Sequence, residues 1–265
     1  MHASIPLFDH IQLRVDGAIG HMRLHRPEVL NAFNKGLMQD VLDAADWFNR
    51  RPDVKVVVVS AEGRAFCSGF DLDFFASEAS AEEVRDIVAL GSELHRGVAS
   101  MRATTVAAVH GYCVGGGVVL MMACDFRYAS EDAVFFLPET ELGIPLAWCG
   151  IPGLVREMGG LAATEFVLLC EKWSAARALS AGMVNELAAD RAQLDEQAAR
   201  VARTLSERSS LVLESTKRQV IAARELMLSG AYGFTDAHLL HSALLDPESQ
   251  AARARYLSRR LGRTG

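Results

Sequence analysis

Three glycine-containing segments hold the residues whose types and spacing could do chemistry. They are residues 64–72 (RAFCSGFDL), residues 108–117 (AVHGYCVGGG) and residues 136–145 (FLPETELGIP). Each adjoins an apolar run, and ligand sites in α/β proteins commonly lie where strands end in such turns. Glycine lets the backbone approach a ligand closely, and Glu139 and Glu141 are carboxylates that could exchange protons, whereas Asp71 fits a structural or substrate-loop role better than that of an acid. The segments predict a ligand site where strands end in glycine-containing turns.

Motifs for several other chemistries are missing from the sequence. The run at residues 115–117 (GGG) continues into valine and leucine, so it matches neither a dinucleotide-binding fingerprint nor a P-loop. The sequence contains no GxSxG and no HExxH motif. His21 with His25, and His238 with His241, have the spacing of shared ligands. No carboxylate or cysteine stands in a matching pattern beside them, so we expect no metal site.

The polar segments need strands and helices to position them. The patterns predict a hairpin of residues 11–15 and 19–24 around Asp16-Gly17, strands at 54–60, 104–109 and 126–129, and helices at 34–50, 81–101 and 118–124. Beyond about Pro152 the pattern is helical, over residues 161–170, 174–181, 191–205, 211–228 and 231–244. Alternating strands and helices followed by a helical tail predict a parallel α/β core with a helical C-terminal region.

Composition excludes several classes of protein. The chain has 265 residues and a net charge of −6, whereas a dedicated nucleic-acid binder usually carries a basic surface. No apolar run approaches the ~20 residues that span a bilayer, so we expect no membrane partner. Five scattered cysteines without a CxxC pair are typical of reduced thiols. We therefore expect a cytoplasmic protein without a targeting segment.

The three segments, in this order and spacing, resemble the crotonase superfamily, which is the enoyl-CoA hydratase/isomerase family. The similarity begins near residues 26–32 (RPEVLNA) and continues to the C-terminal helices. It implies the crotonase fold, also called ClpP-like, in which repeated ββα units form stacked sheets. It further implies an α/β core over residues 1–200 with the CoA-ester and catalytic site. Residues 201–265 would form a helical region that supports trimers and contacts a neighbouring site.

The resemblance also implies where an acyl-CoA thioester binds. Backbone N–H groups of Ser68 and Gly116 would form an oxyanion hole for the thioester oxygen, and preorganised donors of this kind contribute several kcal/mol. The implied substrate and CoA contacts are Leu30, Ala32, Ser68, Gly69, Phe70, Asp71, Leu72, Gly116 and Val119. Coenzyme A is part of the substrate, so no separate cofactor is expected.

Carboxylates decide which reaction follows. The resemblance implies two glutamates in hydratases, at the positions of Val119 and Glu139, which are 20 residues apart. Valine cannot activate water, whereas one glutamate can move a proton from C2 to C4 of a 3-enoyl thioester, as in the Δ3,Δ2-enoyl-CoA isomerase branch. The dienoyl-CoA isomerase branch would need acids at Val119 and Ala147. Glu141 competes with Glu139 for the catalytic role, because residues two apart on a strand point the same way.

Two other functions stay open at this point. One is an enoyl-CoA hydratase that adds water to a 2-enoyl-CoA, and the other is a non-catalytic acyl-CoA-binding protein. Walls near Phe74, Phe75, Leu142 and Trp148 are candidates for setting the acyl chain length, and the same residues would fit an ordinary core.

The C-terminal helices carry the remaining expectations. The resemblance implies a homotrimer or a hexamer formed by two trimers, and four crowded leucines at 239, 240, 244 and 245 fit such an interface. Arg253, Arg255, Arg259 and Arg260 form a basic cluster. They are either a solvated helix face or a contact for the CoA phosphates.

Overall fold

The protein consists of two stacked sheets and a layer of helices around them. The computed structural model describes residues 4–71, 80–227 and 235–261. The strands are β1 Ile11–Asp16, β2 Ile19–Leu24, β3 Val56–Ala61, β4 Ala65–Cys67, β5 Thr104–Val109, β6 Tyr112–Val114, β7 Phe126–Ser130, β8 Val134–Phe136, β9 Trp173–Ser174 and β10 Glu186–Ala188. The helices are α1 Lys35–Asn49, α2 Ala81–Ala99, α3 Gly116–Ala123, α4 Gly150–Leu169, α5 Ala175–Ser180, α6 Arg191–Ser206, α7 Ser210–Met227, α8 Asp236–Leu245 and α9 Pro247–Leu261. A short 3-10 helix, Pro27–Val29, precedes α1.

The first sheet has six strands in the order β1-β2-β3-β5-β7-β10. The predicted hairpin is confirmed, because β1 and β2 pair antiparallel and Gly17 in their turn has φ +57°. The pairs from β2 to β10 are parallel. Strand β3 is buried on both faces, as its β-branched run predicts: Val57 and Val59 join the main core, and Val56 and Val58 pack towards α6.

The second sheet has four short strands in the order β4-β6-β8-β9. Local patterns did not predict these strands, because runs of two or three residues are too short to show a period. Chain order explains the stacking: β3 and β4, then β5 and β6, then β7 and β8 each place their first strand in the large sheet and their second in the small one. The repeated ββα architecture implied by the resemblance is confirmed.

Capping residues fix the helices near the site. Asn34 caps α1 by accepting the Leu37 N–H at 2.8 Å, and Ser80 with Glu83 forms a capping box at the start of α2. Helix α4 differs from the prediction: it begins at Gly150 rather than at residue 161, and Gly159 interrupts it with φ +78°. The glycines in the first half of α4 have low helix propensity, so the sequence pattern did not predict a helix there.

Some predicted features lie outside the described residues. These are Leu72, Phe74 and Phe75, together with the proposed helical residues 228 and 231–234. The predicted division at residue 200 falls inside α6, and it stays a prediction. Within the described ranges, every helix is too short or too polar to cross a bilayer.

Gly111 joins the two sheets at the β5–β6 corner, and it generates a stability prediction. A Cβ at Gly111 (φ +57°) would lie 2.2 Å from the Arg64 carbonyl oxygen, whereas a Cβ at Gly17 (φ +57°) would meet nothing within 4 Å. Gly17→Ala should therefore cost only the left-handed penalty of about 1–2 kcal/mol. Gly111→Ala should add about 1–3 kcal/mol of steric strain. Urea unfolding of both variants measures the difference, and equal losses would contradict this packing.

Candidate active site

A largely apolar cavity of about 360 Å³ brings the three polar segments together. Its wall combines the loop before α1, the loop after β4, the start of α3 and the turn after β8 with residues from α2, α8 and α9. All predicted contact residues in the described part of the chain line it, and these are Leu30, Ala32, Ser68, Gly69, Phe70, Asp71, Gly116 and Val119. Leu72 lies outside the described residues. The cavity is the candidate site.

A tight turn presents Gly116 to the cavity. Gly115 has φ +52°, and its N–H donates to the Phe136 carbonyl at 2.9 Å, which ties the turn to strand β8. Gly116 is the first residue of α3, so its N–H has no acceptor within the helix. The position at the positive end of the helix dipole favours an anion. Gly116 therefore has the geometry of an oxyanion donor.

Ser68 lies on the same wall, but its N–H is already engaged. It donates to the Leu30 carbonyl oxygen at 3.0 Å. Leu30 and Asn31 both have φ +55°, and the buried Asn31 amide holds this bend by donating to the Glu62 and Ala65 carbonyls at 2.8 and 2.9 Å. A thioester oxygen would have to share the Ser68 donor with Leu30 or displace it. No local pattern in the sequence indicates this contact.

Glu139 carries its carboxyl group into the cavity wall. A Cβ built on Gly115 would lie 2.8 Å from Glu139 Oε1, so the carboxyl group lies beside the turn that presents Gly116. Its Oε2 atom is buried and has no hydrogen-bond partner. Burial raises the pKa of Glu139 from 4.5 to about 7, because the charged form loses its hydration. A carboxyl group with this pKa can both accept and return a proton near neutral pH.

The structure separates Glu139 from Glu141. Strand β8 ends at Phe136, and residues 139–143 form a turn, in which Ile144 N–H donates to the Glu139 carbonyl at 3.0 Å. Glu141 is exposed and is not part of the cavity wall. The expectation that both side chains point the same way is wrong, because it assumed an extended strand at these positions.

Apolar groups occupy the two positions that would carry acids in other branches of the resembled family. Val119 is 2% exposed and lines the cavity, and its carbonyl is 3.3 Å from His95 Nδ1. Ala147 also lines the cavity. Among the described wall residues, the acidic side chains are Glu139 and Asp71. Asp71 follows Phe70, and its N–H donates to the Phe33 carbonyl at 2.8 Å.

Helices α8 and α9 complete the cavity with Leu240 and Tyr256, which no motif in the sequence marks. The sequence offers only an indirect indication, which is Gly143. A Cβ at Gly143 would lie 2.5 Å from the Ser249 carbonyl oxygen, so a glycine at this position allows α9 to pack against the Glu139 turn.

The arginines of the C-terminal cluster differ in their burial. Arg255 and Arg259 are exposed, whereas Arg253 is buried and donates to the Leu244 carbonyl at 3.2 Å. The side chain of Arg260 lies outside the described residues.

The architecture and its similarity to solved structures define a crotonase-fold protein. A crystal structure of an enoyl-CoA hydratase/isomerase from Mycobacterium paratuberculosis matches with a TM-score of 0.82 and 26% identity, over 93% of this chain and 98% of that chain. The family model for enoyl-CoA hydratase/isomerase matches residues 14–262. The chain belongs to the enoyl-CoA hydratase/isomerase family, which confirms the resemblance.

Relatives in this family carry two different activities in their names. A peroxisomal Δ3,5-Δ2,4-dienoyl-CoA isomerase of Arabidopsis thaliana is 28% identical over 97% of this chain and 96% of its own length. A probable enoyl-CoA hydratase of Mycobacterium bovis is 30% identical over 96% of each chain. These relatives are enzymes that act on enoyl-CoA thioesters, and together they do not distinguish isomerisation from hydration.

Burial of Glu139 generates a prediction about stability and pH. The folded protein holds this proton more tightly than the unfolded chain, so ionisation destabilises the fold as pH rises from 4.5 to about 7. Glu139→Gln removes this cost. Its stability relative to the wild type should increase over that window and level off above it, by up to about 3 kcal/mol.

Urea unfolding at several pH values between about 5 and 8 measures this difference. Glu141→Gln is the matched control, because it makes the same substitution two residues away at an exposed position. A difference for Glu139→Gln that stays constant over the same range would contradict the assigned burial.

Proposed function

We propose that this protein is an enoyl-CoA isomerase that converts a 3-enoyl-CoA into a 2-enoyl-CoA. The observation that carries the proposal is the Glu139 carboxyl group in an apolar cavity, next to an α3 N-terminus, with Val119 where a hydratase would hold a second glutamate. One carboxyl group is sufficient to move a proton between two carbons of the same substrate. Addition of water requires a group that holds and activates the water.

The proposed mechanism uses Glu139 first as a base and then as an acid. Its carboxylate takes a proton from C2 of the 3-enoyl thioester, and the electron pair spreads over a dienolate with charge on the thioester oxygen. The same carboxyl group returns the proton to C4, so the double bond moves from C3–C4 to C2–C3 and nothing is added or lost. The pKa of about 7 suits both steps, because neither protonation state is strongly favoured.

Backbone donors would stabilise the dienolate. The Gly116 N–H is available at the first position of α3, and the Ser68 N–H would become a second donor by sharing or releasing the Leu30 carbonyl. Stabilisation of developing charge by fixed donors in a water-poor site is commonly the largest contribution to such reactions. Leu30 and Ala32 line the same cavity and would contact the CoA portion. We propose no separate cofactor, since the thioester itself activates C2.

Hydratase activity is the second candidate, because a 30% identical relative carries that name. It would require another group to activate water opposite Glu139. The names of the dienoyl-CoA isomerase relatives favour a third substrate, a 3,5-dienoyl-CoA. Val119 and Ala147 in the cavity wall are apolar and cannot transfer protons. They therefore argue against conversion of a 3,5-dienoyl-CoA and against efficient hydration. A protein that only binds acyl-CoA would keep the cavity and turn over none of these thioesters.

We propose a homotrimer or a dimer of trimers as the working assembly. Exposed leucines on α4 and α8 support the proposal: Leu161, Leu168, Leu169, Leu239 and Leu245 are between 49% and 88% exposed. Large exposed apolar surfaces usually mark an interaction site. The cytoplasmic location also stays a proposal, with five free and buried cysteines as its support.

The glutamate pair tests the proposed mechanism. Glu139→Gln keeps the size of the side chain and removes the basic carboxylate, so isomerisation of a 3-enoyl-CoA should fall by at least ~10²-fold. Glu141→Gln should retain most of its rate, because Glu141 lies outside the cavity wall. The measurement is the appearance of 2-enoyl thioester absorbance from 3-enoyl-CoA.

Loss of absorbance from 2-enoyl-CoA, and conversion of a 3,5-dienoyl-CoA, should be followed with the same proteins. Faster hydration or dienoyl conversion than isomerisation in the wild type would overturn the proposed reaction. Equal rates for the two glutamine variants would overturn the role of Glu139. No turnover with any of the three thioesters, together with tight acyl-CoA binding, would show a binding protein.

A further inference from the structure

Trp148 is held in the cavity wall by contacts on several sides. It is 7% exposed and lines the cavity, and its ring meets Phe33 and Phe70 edge-on, with centroid distances of 6.0 and 5.7 Å. A Cβ on Gly91 of α2 would lie 2.3 Å from the indole ring, and a Cβ on Gly116 of α3 would lie 2.4 Å from it. The two glycines therefore create the space that the ring fills between α2 and α3.

The backbone at Trp148 is unusual as well. Trp148 and Cys149 have φ +61° and +59°, a left-handed conformation that costs about 1–2 kcal/mol for each non-glycine residue. Asp236, the first residue of α8, accepts the Cys149 N–H at 3.2 Å. This hydrogen bond ties the turn that carries Trp148 to α8. The same helix contributes Leu240 to the cavity wall.

We infer that Trp148 limits the length of the acyl chain that the cavity accepts, and that Asp236 is the positioning residue that holds Trp148 there. The inference rests on the proposed function in one respect, which is that the ligand is an acyl-CoA thioester. The Trp148 ring lies directly against Gly116, the proposed donor for the thioester oxygen. An acyl chain that extends from the thioester carbonyl must therefore meet the indole within a few carbons.

The size of the cavity supports a short acyl chain. Its volume of about 360 Å³ is near the lower end of small-molecule sites, which span about 300–1,000 Å³. Part of this volume must hold the pantetheine arm next to Leu30 and Ala32. Close packing holds the ring in place, because Gly91 of α2 and Gly116 of α3 both lie against it and two phenylalanines contact it in T-shaped arrangements.

Binding of saturated acyl-CoAs tests the inference without relying on turnover. Calorimetric titration with butanoyl-, hexanoyl- and decanoyl-CoA should show that wild-type affinity stops increasing beyond a short chain. Each methylene that Trp148→Ala allows to be buried strengthens binding by about fourfold. The ratio of the butanoyl to the decanoyl dissociation constant should therefore increase by about tenfold or more. Trp148→Leu, which keeps an apolar wall, should give a smaller increase and covers the case in which the alanine variant fails to fold.

Trp47→Ala is the matched control. Trp47 of α1 is 8% exposed, nearly the same as Trp148, and it is not part of the described cavity wall. Its loss should reduce stability and leave the chain-length ratio unchanged. Asp236→Ala should shift the chain-length ratio in the same direction as Trp148→Ala. Asp236→Asn should keep the ratio near the wild-type value, because the amide oxygen still accepts an N–H. A purely structural role for Asp236 would lower stability without moving the ratio.

The outcomes separate this inference from the proposed function. Folded Trp148 variants that bind all three acyl-CoAs with the wild-type ratio would overturn the inference and leave the isomerase proposal intact. A wild-type protein that binds no acyl-CoA of any length would overturn the proposed function itself. An unchanged ratio in Asp236→Ala would overturn the positioning role of Asp236 and leave the role of Trp148 intact.

Discussion

Burial of one carboxyl group in an apolar cavity is the constraint on which the site depends. Glu139 Oε2 has no hydrogen-bond partner, and desolvation raises the pKa of the group to about 7. A buried polar atom without a partner costs stability, and this cost agrees with the proton-transfer role that we propose for Glu139. The surrounding apolar wall, with Val119 among its members, is the physical cause of this pKa.

The repeated ββα architecture delivers that carboxyl group to the backbone donors. Strands β4, β6 and β8 lie side by side in the small sheet, so the chain leaves neighbouring strands towards Ser68, Gly116 and Glu139. Residues far apart in sequence thus meet at one end of the sheet. Helices α8 and α9 then close the cavity with Leu240 and Tyr256, and α8 also holds the Trp148 turn.

Much of this could be predicted from the sequence, and the remainder has physical reasons. The β-branched run of β3 and the Asp16-Gly17 turn predicted the large sheet and its hairpin, because these signals are local. The small sheet could not be predicted from local patterns, since its strands are two or three residues long and are held by pairing partners distant in sequence. Only the family resemblance implied a second, stacked sheet. From the sequence, only the family resemblance could separate Glu139 from Glu141. In the structure, the turn at residues 139–143 leaves Glu139 half-buried with its Oε2 atom enclosed, and it leaves Glu141 exposed. The Leu30 contact of the Ser68 N–H depends on a left-handed bend that residue types alone do not indicate.

Titration of the Glu139 carboxyl group measures directly whether the apolar cavity shifts its pKa. Infrared spectra of the wild type minus Glu139→Gln, recorded across pH, isolate the C=O band of this one protonated carboxylic acid. We expect the band to disappear with a midpoint near pH 7, because burial raises the pKa of Glu139. A midpoint near 4.5, the ordinary value for glutamate, would show a hydrated carboxylate and contradict the burial of this group in an apolar cavity.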